Sequence, residues 1–236
     1  MQIIPVIDIK NSQVVHAKLG QRSQYAPIES SLCAGSAPHD VVTALLKLYP
    51  FHIIYIADID AILGSNHHVD LIEALRDDFP QITWWVDAAI RTVNARMLYQ
   101  ANICAVIGSE SMQTLQDYRA VSYAYQSRHV LSVDMQDSQN LGAEELHNTG
   151  RFWPDDIIAM NLNTVGSNLG PDLTRLNALQ QLNLGRKTPA GIYAAGGVRD
   201  SEDLQILKKM GIKGALVASA LHNGSLSALD LKSIQK

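Results

Sequence analysis

Apolar residues along this chain fall into short unbroken runs, separated by longer stretches in which they recur about every three or four positions. Unbroken runs of about four to eight residues mark strands buried on both faces, as in a parallel sheet covered by helices. The runs predict strands at Ile3–Asp8, Ile53–Asp58, Ile82–Val86, Cys104–Ile107, Val130–Asp134, Ile157–Leu162, Gly191–Ala194 and Gly214–Val217. The spaced pattern predicts helices at His39–Leu48, His68–Asp78, Thr92–Ala101, Thr114–Tyr123, Asp172–Leu182 and Ser201–Met210. Eight strands with intervening helices in 236 residues predict an α/β fold, a single (β/α)8 TIM barrel. A doubly wound open sheet is the rival arrangement.

Composition narrows the partners. The chain is 47% apolar and 18% charged, and no linker rich in Gly, Pro or Ser divides it, so residues 1–236 are expected to form one domain. With a formal net charge of −4 and scattered Lys and Arg there is no basic field, which excludes nucleic acid and anionic membrane as expected partners. Cys33 and Cys104 make neither a disulfide framework nor a ligand cluster, so no metal and no organic cofactor is expected. The chain starts without a signal-like segment and holds no run long enough to span a bilayer; a cytoplasmic location is expected. The pattern is silent on oligomeric state.

The same pattern also repeats. Asp8 aligns with Asp134, and Asn11-Ser12-Gln13 with Asp137-Ser138-Gln139. Ala57–Asn66 then matches Met160–Asn168, Asp87–Leu98 matches Ala195–Leu207, and Ala105–Ser109 matches Ala215–Ser219, all in the same order. Two half-barrels of four βα units, about 1–125 and 126–236, are expected. Asp8 and Asp134 would then end strands one and five and face each other across the barrel mouth.

The C-terminal ends of barrel strands build the active-site face, which makes Asp8 and Asp134 candidate general acid and base. Strand capping is the plainer reading of either aspartate taken alone. Gly196 and Gly197 with Ala218 and Ser219 offer backbone amides for a phosphate at the seventh and eighth loops. In the first half that site carries Asp87-Ala88-Ala89, whose carboxylate opposes an anion and could meet an amine, a hydroxyl or a cation instead. Asp58, Asp87, Arg91, Gly108, Ser109, Asn161, Gly166 and Ser167 complete the expected ligand contacts. His67-His68 read as a solvated helix start and Cys104 as core. Cys33 lies in the long first loop, where either an inert or a reactive thiol fits. Arg22 and Tyr25 sit in a polar loop that either folds over a ligand or lies on the surface.

The stretch Ile4–Tyr25, the repeated strand-end aspartate and "AAGGVR" at Ala194–Arg199 resemble the histidine-biosynthesis barrels, ProFAR isomerase above all. The resemblance spans nearly the whole chain. It implies an Amadori rearrangement of an aminoaldose bisphosphate, with Asp8 and Asp134 as acid and base and one phosphate held by each half. The chain departs from that pattern at Asp87-Ala88-Ala89, at Met160, at Val165-Gly166-Ser167, and in the 26 residues between Asp134 and Asn161. "SLC", "YIADIDAI", "VGSNLGPDL" and "VASALHNG" resemble a divergent branch found in methanogens and methylotrophs. That branch implies one-carbon cofactor synthesis (methanopterin or methanofuran). The expectation is therefore an acid/base isomerase or lyase acting on a small phosphorylated metabolite. A ProFAR isomerase and a catalytically silent barrel that binds a ligand or partner are the alternatives.

Overall fold

Successive side chains of a strand point to opposite faces, so a strand covered on both sides must be apolar throughout. The computed structural model describes residues 1–65, 67–92, 101–126, 128–167 and 169–235, and among them eight such strands form a closed parallel sheet. They are β1 (Gln2–Lys10), β2 (Ile53–Asp58), β3 (Thr83–Asp87), β4 (Ile103–Gly108), β5 (His129–Gln136), β6 (Asp156–Asn161), β7 (Gly191–Ala195) and β8 (Gly214–Val217). Each pairs with the next, and β8 returns to β1 through the register Gln2↔Gly214 to Pro5↔Val217. That closing pair makes the sheet a TIM barrel rather than an open doubly wound sheet.

The two faces of the strands feed two hydrophobic layers. Ile4, Tyr55, Trp85, Tyr193 and Leu216 point inward and fill the barrel. Ile7, Ile54 and Ile157 point outward against Leu45, Leu75, Leu179 and Leu207 of the surrounding helices. Those helices include α1 (Pro38–Leu48), α2 (Val69–Asp78), α3 (Leu115–Tyr125), α4 (Leu173–Leu184), α5 (Ser201–Lys209) and α6 (Ala228–Gln235). Thr114 and Asp172, expected as first helical residues, sit one position outside, because their side chains accept the free N–H groups of Asp117 and Arg175. The helix expected at Thr92–Ala101 falls largely on residues 93–100, outside the described ones.

Both strand-end motifs continue into hairpins that the apolar pattern does not reveal. Asn11 and Ser12 (φ 50° and 60°) and Asp137 and Ser138 (φ 49° and 61°) adopt the same left-handed pair, as a two-residue hairpin turn requires. The turns return strand Gln13–His16 against β1 and Gln139–Asn140 against β5. Each turn is anchored alike: the Asn11 N–H donates to Asp60 and the Asp137 N–H to Asn163, both at 2.6 Å.

Candidate active site

Strand alternation decides what reaches the barrel mouth. On β1 the inward series Ile4, Val6 ends at Asp8; on β3, Trp85 is followed by Asp87; on β5, Val130 and Ser132 lead to Asp134. The three carboxylates line one open cleft with about 830 Å³ of space, solvent at its mouth included, together with Arg22, Tyr25, Tyr55, Glu110, Met160 and the segments 166–167, 195–198 and 216–219.

Asp8 and Asp134 differ in support. Asp134 accepts from the Ser132 hydroxyl (2.5 Å), the Ser109 hydroxyl (3.2 Å) and the Glu110 N–H (3.1 Å). Asp8, only 8% exposed, accepts no hydrogen bond among the described residues. Burial pushes Asp8 up to about 7, with Arg22 pulling down and Asp87 pushing up. Burial and the Glu110 carboxylate push Asp134 up to about 7 against its Ser132 bond. Asp87 rises to about 6 through burial and Glu110, opposed by the Ala89 N–H, Arg22 and the Tyr55 hydroxyl. Arg22 is fastened to Glu110 by its two terminal guanidinium nitrogens, at 3.1 and 2.5 Å, so the first loop crosses the mouth from β1 to the loop after β4.

Across the cavity, Gly196 (φ 98°) and Gly197 (φ 83°) hold backbone that side chains rarely adopt. A Cβ on Gly197 would lie 2.0 Å from the Gly170 carbonyl oxygen. Among the described residues no acceptor takes the N–H of Gly196, Gly197 or Ala218, which leaves donors open beside the Ser219 hydroxyl. Gly166 and Ser167 line the same cavity.

Several expected contacts lie elsewhere. Asp58 and Asn161 follow the outward series of β2 and β6, so their side chains leave the mouth. Asp58 is fully buried and accepts from the N–H groups of Ala61 and His68 and from the His68 ring at 2.9 Å. His68 is accordingly buried, not solvated, and its Nε2 accepts from the Ser12 N–H. Asn161 donates to Asp172 and accepts from the Asn163 N–H. Ser109 supports Asp134 without lining the cavity, and Gly108 lies beneath the carboxylates, where a Cβ would sit 3.2 Å from Asp134 Oδ2. Arg91 is exposed and outside the cavity lining. Cys33 and Cys104 are both half-buried free thiols. Tyr55 and Glu110 were missed as site residues; Tyr55 lies on the inward face that the strand-end Asp58 leaves, and no pattern marks Glu110. Among the described residues no group of three or more His, Cys, Asp or Glu could hold a metal ion, and no helix is long and apolar enough to cross a membrane.

The family described as histidine biosynthesis protein matches residues 2–227. The chain belongs to that family. A Methanocaldococcus jannaschii protein, named only as uncharacterized, is 30% identical over 242 residues, 99% of this chain and 97% of its own. A Listeria innocua protein is 25% identical over 250 residues, 100% of this chain and 99% of its own. An Acinetobacter baylyi protein is 24% identical over 238 residues, 96% and 95% of the two chains. Both bacterial relatives are named as the imidazole-4-carboxamide isomerase whose substrate name carries two phosphoribosyl groups, the ProFAR isomerase.

Proposed function

We propose that this histidine-biosynthesis family barrel is an isomerase that moves a proton between Asp8 and Asp134 across a small molecule held by one phosphate. The observation that carries the reading is the pair itself. Two buried carboxylates close the inward series of strands one and five of an eight-strand barrel, face one cavity, and both sit near 7. Two carboxyls that each titrate near 7 carry on average about one proton between them at neutral pH, so one can donate while the other accepts. The substrate atom between them is a carbon or oxygen beside a carbonyl or imine, where a proton removed from one position is returned at the next. The open amides of Gly196, Gly197 and Ala218 with the Ser219 hydroxyl anchor the phosphate and set the distance to the pair. Two raised carboxylates favour this over a silent binding barrel, in which nothing would maintain them against their cost.

The names of the relatives support a histidine-biosynthesis substrate, and none of them supports the one-carbon cofactor role. Asp87 in the first-half loop argues against a second phosphate. The deciding experiment is an isomerase assay with ProFAR beside Asp8→Asn and Asp134→Asn, with inorganic phosphate binding measured by calorimetry. Phosphate binding without ProFAR turnover supports the one-phosphate reading. Turnover that both variants abolish keeps the acid/base pair and overturns the single phosphate. Turnover that survives both variants overturns the mechanism.

A further inference from the structure

The two ends of the cavity are built from matching segments and treat an anion in opposite ways. Ala88-Ala89 stands where Gly196-Gly197 stands in the second half, and Ala89 keeps the left-handed backbone (φ 48°) of its glycine counterpart at 83°. Two first-half amides beside the cavity are already taken, the Ala89 counterpart of the open Gly197 among them. The Ala89 N–H donates to Asp87 Oδ1 at 3.2 Å, and the Glu110 N–H donates to Asp134 Oδ2 at 3.1 Å. Two side-chain carboxylates thus fill the places where an incoming anion would be held.

We propose that this end of the cavity takes a primary ammonium group, so that the ligand is a phosphorylated amine with its phosphate on the Gly196–Gly197 side. The inference rests on the one-phosphate reading above and adds the chemistry of the other end. Four carboxylates, Asp8, Asp87, Asp134 and Glu110, line the cavity with one guanidinium, Arg22. Glu110 already engages that guanidinium with both oxygens. Among the described residues Asp87 Oδ2 accepts only the neutral Tyr55 hydroxyl, at 3.1 Å. Asp8 is more than nine-tenths buried, faces the cavity and accepts nothing among the described residues. A buried carboxylate without a donor is costly, and an ammonium brings three donors and the missing charge. A second phosphate would meet filled amides and like charge.

The test is calorimetric titration near neutral pH with ω-aminoalkyl phosphates of increasing chain length, the matching alkyl phosphates and the matching alkyl bisphosphates. At the length that spans the cavity, the aminoalkyl phosphate is expected to bind about tenfold or more tighter than its plain counterpart. The bisphosphate is expected to gain nothing. Asp87→Asn should erase the amine preference while inorganic phosphate binds as before. Asp87→Gly, which frees the Ala89 N–H, should turn the preference toward the bisphosphate. Equal affinity of the amine and plain series at every length, with phosphate still bound, overturns this inference and leaves the phosphate cradle standing. Tighter binding of the bisphosphate to the unaltered protein overturns it as well. Absence of phosphate binding altogether removes the cradle and the inference together.

Discussion

Asp8 and Asp134 reach a similar acidity by different routes. Burial raises both; Asp134 is pressed further by Glu110 and Asp87 but has three donors, whereas Asp8 is eased by Arg22, pressed by Asp87 and accepts no hydrogen bond among the described residues. Its folded value near 7 lies above the 3.8 of a free aspartate, so the folded chain binds that proton more tightly than the unfolded one. The proton is therefore a stabilising one: the contribution is present below about pH 4 and is lost as pH rises through 7. Asp8→Asn removes the charge without stranding a donor. It is expected to stabilise the protein by about 1–3 kcal/mol near pH 8, or roughly 3–10 °C in melting temperature, while abolishing turnover. Thermal unfolding at about pH 4 and pH 8 checks this; a variant that melts below the parent at the higher pH contradicts it. At this scale the sequence was half legible. A strand-end aspartate is visible, but Asp58 and Asp8 look alike until the inward series is counted from the interior residues Tyr55 and Ile4.

The first loop shows what an element contributes beyond its residues. Beyond the pairing of Gln13–His16 with β1 and with Ala26–Pro27 and a single turn at Arg22–Gln24, its shape depends on distant partners. The Lys10 ammonium donates to the carbonyls of Arg22 and Ser23, and the Leu19 N–H donates to the Val165 carbonyl. Arg22 then crosses to Glu110, 88 residues away. No local pattern encodes such a partner, which is why this loop read equally well as mobile surface. The hairpin turns were hidden for the opposite reason: their signal is a left-handed pair at Asn11-Ser12 and Asp137-Ser138, without the glycine that usually announces it. The loop's charge holds Asp8 and Asp87 below where burial alone would put them. Arg22→Gln is expected to raise both, by about one pH unit, and to weaken the closure of the mouth. Carboxyl-carbon NMR titration of the free protein reads the shift directly. Curves that superimpose on those of the parent would mean that the strap carries no electrostatic role.

For the whole barrel, chemistry and stability separate along the axis. The fold was legible because its signal is redundant: eight apolar runs, each covered on both faces, leave few ways to bury so much surface. The site was less legible because it is made where that pattern stops, by residues from seven of the strands and from the loops that follow them. Below the carboxylates lies the inner apolar layer, where Trp85 and Tyr193 meet edge to face at 4.9 Å and the Tyr193 hydroxyl donates to Gln2 at 3.0 Å. Tyr193 joins strands on opposite sides of the barrel yet touches none of the open amides. Tyr193→Ala would remove that bridge and leave a cavity in a layer that cannot collapse, because the sheet is closed around it. The expected cost is about 3–5 kcal/mol, read as a lower urea midpoint, with Tyr193→Phe costing about 1 kcal/mol for the lost hydrogen bond. Phosphate affinity of the folded fraction should stay at the parental value in both. If affinity instead falls in step with stability, the floor and the mouth are one cooperative unit, and the phosphate cradle depends on packing well below it rather than on its own glycines.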